Sequence, residues 1–117
     1  MNFATLDEVR THLNMEVSDM DGDMINRLTQ YMNSALEYIS IKLNAELVES
    51  PNDIPGEDDP DYKPNKVYLV FSYTMKQCEL MIVEEFFKHR GTSSATLSRS
   101  TAITVDMMLN KQRFFNV

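Results

Sequence analysis

Hydrophobic positions between residues 66 and 89 recur on two opposite sides of a helical wheel. Val67, Val70, Phe71, Met75, Cys78, Ile82 and Phe86 follow the i, i+3, i+4 spacing of one face, and Leu69, Tyr73, Leu80, Val83 and Phe87 follow it on a second. Fourteen of the twenty-one residues from Val67 to Phe87 are apolar or aromatic, so the pattern predicts one long helix that is greasy on both sides. A surface helix of a small monomer needs a single apolar stripe. A two-faced helix must be covered twice, and the expectation is that the chain covers one face and another copy the other.

The rest of the chain alternates helix patterns with polar breaks. Thr5-Leu6-Asp7-Glu8 reads as a capping box opening a short helix, about Leu6 to Leu13, with Leu6, Val9 and Leu13 inward. The acidic connection Asn14 to Asp23 leads into a long helix, about Asp21 to Asn44. There Ile25, Leu28, Met32, Ala35, Leu36, Ile39 and Leu43 recur at helical spacing, and the acids suit the positive end of the helix dipole. Pro51, Pro55, Pro60 and Pro64 break residues 46–64 into a long acidic loop. Pro64-Asn65 introduces the two-faced helix, and Gly91 stops it after Lys88, His89 and Arg90. Residues 90–103 read as a Ser/Thr-rich loop. Thr104 then caps a short helix, about Val105 to Lys111, and residues 112–117 form a tail. The fold class predicted is all-α: one domain over residues 1–117, with two long antiparallel helices, two short ones and the acidic loop.

Charge sharpens this picture. The net charge is −7, and it is unevenly spread. Residues 1–61 carry fourteen acids against Arg10, Arg27 and Lys42, whereas residues 62–117 carry eight bases against four acids. Such a balance disfavours tight phosphate binding, although Lys88, His89, Arg90 and Arg99 form a modest basic group. No apolar run approaches the roughly 20 residues of a membrane span, and no signal peptide is visible. The lone Cys78 cannot form an internal disulfide, which fits a reducing compartment.

Candidate chemistry is sparse. Asp19-Met20-Asp21-Gly22-Asp23 resembles the start of a calcium loop. Counting from Asp19, however, the demanding sixth and twelfth positions hold Met24 and Gln30 rather than Gly and Glu. Glu57, Asp58, Asp59 and Asp61 lie in a Pro-rich loop without the preorganised geometry a metal site needs. His12, His89 and Cys78 form no sequence-local nucleophile and base. No catalytic, cofactor-binding or metal-ligating residue is expected, and no enzyme. Met24, Met32, Met75, Met81, Met107 and Met108 read as core filling.

The order of elements carries a resemblance. "TLDEVRTHLN", then "DMINRLTQYMNSALEYISIKLN", "KVYLVFSYTMKQCELMIVEEFFKHR" and "TAITVDMMLNKQRFF" together resemble the small head–tail connector (head-completion adaptor) proteins of bacteriophages and prophages. That family opens with Thr-Leu-x-Glu-Val/Ala-x-x-x-Leu, matched by Thr5, Leu6, Glu8, Val9 and Leu13. Phe86, Phe87, Lys88 and His89 look like its aromatic stretch and charged turn. Leu109 and Arg113 match its terminal Leu-x-x-x-Arg. The likeness covers nearly the whole chain, on soft helix patterns. The chain departs from the family at Ser100-Thr101-Ala102-Ile103, where a small residue and Pro are usual, and in its longer acidic loop.

The resemblance implies a virion protein made in the bacterial cytoplasm. A ring of about 12–13 copies would sit under the portal, extend the DNA channel without binding DNA specifically, and receive a stopper or tail-completion protein. On that expectation Leu69, Tyr73, Leu80, Val83 and Phe87 meet the neighbouring subunit. Arg113, Phe114 and Phe115 dock on the portal or a neighbour, and Glu57, Asp58, Asp59 and Asp61 face the channel or the tail side. The alternative expectation is a small intracellular helical adaptor or regulator acting as a dimer.

Overall fold

The computed structural model describes residues 3–56, 58–60, 62, 67–89 and 99–115, the last five as backbone alone. The described part is mostly helical, with a two-stranded parallel sheet that the all-α expectation did not include. The order is α1 (Leu6–His12), α2 (Gly22–Leu43), β1 (Glu46–Val48), β2 (Tyr68–Val70), α3 (Tyr73–Lys88) and α4 (Arg99–Phe115). Single 3₁₀ turns lie at Val17–Asp19 and Pro51–Asp53.

The helix starts are set by short polar side chains. The Thr5 hydroxyl accepts the Glu8 N–H at 3.2 Å, and the Glu8 carboxylate accepts the Thr5 N–H at 3.0 Å, which is the predicted capping box. Asp21 accepts the Met24 N–H at 2.8 Å and starts α2. That helix ends on Asn44 in the left-handed region (φ 50°), a conformation Asn tolerates better than most residues. The Ser40 hydroxyl then donates to the Ala45 carbonyl and closes the turn.

The two-faced helix begins later than its periodicity suggests. Ser72 accepts the Met75 N–H at 3.2 Å and starts α3 at Tyr73. Val67 to Phe71 runs extended instead, as a β-branched and aromatic run favours. Glu46 pairs with Tyr68, Leu47 with Leu69 and Val48 with Val70. Residues 49–67 are the long connection that a parallel pair requires. At the other end, α4 begins at Arg99 and reaches Phe115, so part of the expected Ser/Thr loop and of the expected tail is helix. Thr104 is an interior residue of α4, and its hydroxyl donates to the Ser100 carbonyl at 2.9 Å. The expected Pro64-Asn65 start and Gly91 stop lie outside the described residues.

The strand pair holds the C-terminal end of α2 beside the N-terminal end of α3. Further along, Tyr31 meets Phe86 with ring centroids 6.0 Å apart, so α2 and α3 run antiparallel. Leu28, Ala35, Ile39 and Leu43 from α2, Val105 and Leu109 from α4, and Val9 from α1 close over α3. The buried positions Met75, Cys78, Glu79, Leu80, Ile82, Val83, Glu85 and Phe86 wind around more than half of α3.

Replacing Ser72 with Ala should lower the unfolding free energy by about 1 kcal/mol, as loss of a helix cap does. Thr104→Ala, inside α4, should leave it unchanged or slightly higher. Urea unfolding checks both; a cost at Thr104 equal to that at Ser72 would contradict the observed start of α4.

Candidate functional site

The interface residues expected from the second face of the long helix separate into two groups. Leu69, Leu80 and Val83 are buried within this chain, at 7%, 7% and 1% exposure, so they are core residues of the subunit rather than surface residues open to a neighbour. Phe87 is half-buried and packs on the same core. Tyr73 alone of the set projects outward, at 75% exposure, because it is the first residue of α3 and precedes the point where α2 and α4 close over that helix. The physical reason for the correction is that this chain supplies both covers of α3, α2 through Leu28, Ala35 and Ile39 and α4 through Val105 and Leu109.

Other apolar side chains occupy the outer surface. On α4, Ile103 and Met107 are one turn apart, 50% and 63% exposed, opposite the buried Val105 and Leu109. Met107 therefore departs from the core role read for the methionines, whereas Met75 is fully buried and Met24, Met32, Met81 and Met108 pack against the core. Lys42 of α2 reaches Asp106 at 3.6 Å and tethers this part of α4. Val67 is half exposed just before β2.

The acidic loop is only partly described. Asp58 and Asp59 are exposed, on turns closed by Asp59 N–H to Gly56 C=O and Tyr62 N–H to Asp59 C=O, both 2.9 Å. Glu57 and Asp61 lie outside the described residues, as do the side chains of Arg113, Phe114 and Phe115, whose backbone is helical. Among the described residues no group of three His, Cys, Asp or Glu could hold a metal ion. Asp19, Asp21 and Asp23 lie at the start of α2, where Asp19 accepts the Glu16 N–H and Asp21 caps the helix.

A residue that the pattern did not single out carries the most unusual environment. Glu79 is fully buried in α3. Its Oε1 accepts the Ala4 N–H at 3.1 Å, and its Oε2 has no hydrogen-bond partner among the described residues. Burial pushes its carboxyl up to about 7; the Ala4 N–H and the Lys76 cation oppose this, and the Glu8 carboxylate adds to it. Around it α1 is fastened along α3. Lys76 pairs with Glu8 at 3.2 Å, and His12 meets Glu84 at 3.0 Å while Lys88 holds the other Glu84 oxygen at 2.9 Å. The Thr5 N–H, then Lys76, hold the Glu8 carboxyl below the usual range, and Lys88, then His12, do so for Glu84. Phe3 packs edge-on against Phe71 at 4.7 Å and closes the N-terminal end. The signal for Glu79 was present: on a helical wheel it lies between the two apolar faces, and a helix covered on both faces buries what lies between them.

Cys78 is fully buried with its sulfur 4.0 Å from that of Met108. Burial pushes its thiol up to about 11, so it stays protonated and unreactive at neutral pH. His12 and His89 each face a carboxylate rather than each other, His89 meeting Glu85 at 3.4 Å.

No family model matches the chain, and no curated protein or solved structure matches it either.

The folded chain holds the Glu79 proton more tightly than the unfolded chain does. Its contribution to stability is therefore largest below the ordinary carboxylate range, near 4.5, and falls as pH rises to about 7. The shift corresponds to roughly 3 kcal/mol between those limits. Glu79→Gln keeps an acceptor for Ala4 and removes the ionisation. It should flatten the fall in stability between pH 5 and 7.5 and raise stability at the upper end. Thermal melts across that range check this; a variant whose slope equals that of the parent would contradict it.

Proposed function

We propose that this chain is a structural assembly protein, a head–tail connector that closes into a ring beneath a phage portal. The observation that carries the reading is the distribution of exposed apolar side chains over separate elements. Tyr73 starts α3, whereas Ile103 and Met107 lie on the outer face of α4. A ring needs two different surfaces on each copy, one for each neighbour, because its contacts are head-to-tail. An isologous dimer needs only one.

The resemblance in element order supports the same reading, from the Thr5 capping box to the helix that carries Leu109 and Arg113. Acidic groups such as Asp58 and Asp59 suit a lumen through which DNA slides without sticking, with Glu57 and Asp61 in the same loop. In this reading Tyr73 and the Ile103–Met107 pair meet neighbouring copies. Arg113, Phe114 and Phe115 dock on the portal, and a stopper or tail-completion protein binds the opposite side. The core residues Leu69, Leu80 and Val83 hold the subunit together and take no part in the contact.

Native mass spectrometry over a range of protein concentrations tests the proposal. A closed species of about twelve or thirteen copies is expected. Tyr73→Asp and Met107→Asp should each keep the helical content of the parent and reduce the ring to smaller species. A stable dimer, or rings that tolerate both substitutions, would contradict the reading; the dimer would favour the small adaptor instead.

A further inference from the structure

Among the described residues, the two strands of the sheet each leave one edge unpaired. With Glu46 opposite Tyr68 and Val48 opposite Val70, the Glu46 N–H donates to the Val67 carbonyl and the Phe71 N–H to the Val48 carbonyl, both at 2.8 Å. In a parallel ladder the residues that bond inward alternate with those that bond outward. Glu46 and Val48 on β1, and Val67, Leu69 and Phe71 on β2, are therefore spent on each other. Leu47 on β1, with Tyr68 and Val70 on β2, turns its main-chain N–H and C=O away from the partner strand. Among the described residues none of these three has a main-chain partner beyond the pair. An unpaired edge is a template for another strand, and a two-stranded sheet has two of them.

The two edges fit one another. If Leu47 of one copy stands opposite Leu69 of the next, its N–H meets the Tyr68 carbonyl and its C=O meets the Val70 N–H. That is the parallel ladder continued in the same sense. The edge of β1 does not match itself in this way, so the contact is head-to-tail and repeats from copy to copy. Val67, just before β2, is apolar and half exposed.

We propose that copies of this chain join by strand addition, the outer edge of β2 in one copy pairing parallel with the outer edge of β1 in the next. The inference deepens the ring reading above and rests on it. The occupant of each edge is a second copy of the chain, and the sheet becomes a continuous belt through the assembly.

Val70→Pro tests this. The substitution removes the outward N–H of β2 and leaves the inward bonds of Val67, Leu69 and Phe71 intact. Val70→Thr changes the same side chain and keeps the N–H. In native mass spectrometry Val70→Pro should weaken assembly about tenfold or more, while Val70→Thr assembles like the parent. Amide exchange on the unmodified protein gives a second readout that does not depend on how the proline variant folds. Leu47 and Val70 should exchange freely in the monomer and slowly in the assembly. Rings in which both amides still exchange freely, or a folded Val70→Pro variant that assembles like the parent, would overturn strand addition and leave the ring reading standing. A monomer at every concentration would overturn both. Protection appearing only when a different protein is added would assign the edges to a foreign peptide and overturn the proposal.

Discussion

The structure depends on the burial of α3 by the rest of its own chain. Its sixteen residues include eight that are buried, and they come from both of the apolar faces that the sequence displays. α2 covers one side through Leu28, Ala35 and Ile39, α4 covers another through Val105 and Leu109, and Val9 of α1 completes the enclosure. Each of these helices is amphipathic in the ordinary way and is stabilised by packing on α3 rather than by its own propensity. The strand pair has a supporting part: it ties the end of α2 to the start of α3 and so fixes which residues of the two helices can meet.

Enclosure of α3 has an electrostatic cost at Glu79. A carboxyl group between two buried faces leaves water, and among the described residues only one of its oxygens finds a donor, the Ala4 N–H. Removing an ionised carboxylate from water is unfavourable unless it is paired, so the group retains its proton to higher pH. The same carboxyl fixes the approach of the N-terminal segment. Together with Lys76–Glu8 and His12–Glu84 it defines how α1 lies along α3. Removal of any one of these partners should therefore be felt first in α1 and only then in the core.

Local chemistry was legible in the sequence wherever a side chain acts on its own neighbours. The Thr5–Glu8 box and the bounds of α2, from Asp21 to Asn44, follow from side chains that bond within a few residues. The strand pair was not legible as such. Val67-Tyr68-Leu69-Val70-Phe71 continues the helical period of the residues after it, and pairing with Glu46–Val48, distant in sequence, adds to its β propensity to select the extended form. The start of α4 was missed for a related reason. Thr104 has the chemistry of a cap, but its hydroxyl bonds back to Ser100 inside a longer helix. α2 and α4 of the same chain together enclose α3, and periodicity alone did not show that both of its apolar faces are covered from within. Of the expected contact set only Tyr73 stays outward, and Ile103 and Met107, which the pattern did not offer, are exposed with it.

Assembly is thus read from what remains exposed once α3 is enclosed, and the enclosure itself is the claim to test. Residue-resolved hydrogen exchange on the monomeric chain does so most directly. Amides of residues 78–86 are predicted to exchange only through global unfolding, more slowly than those of α1 or of the outer face of α4. Fast exchange there in the monomer, with protection gained only on oligomerisation, would contradict the account. It would return the second face of α3 to a neighbouring copy.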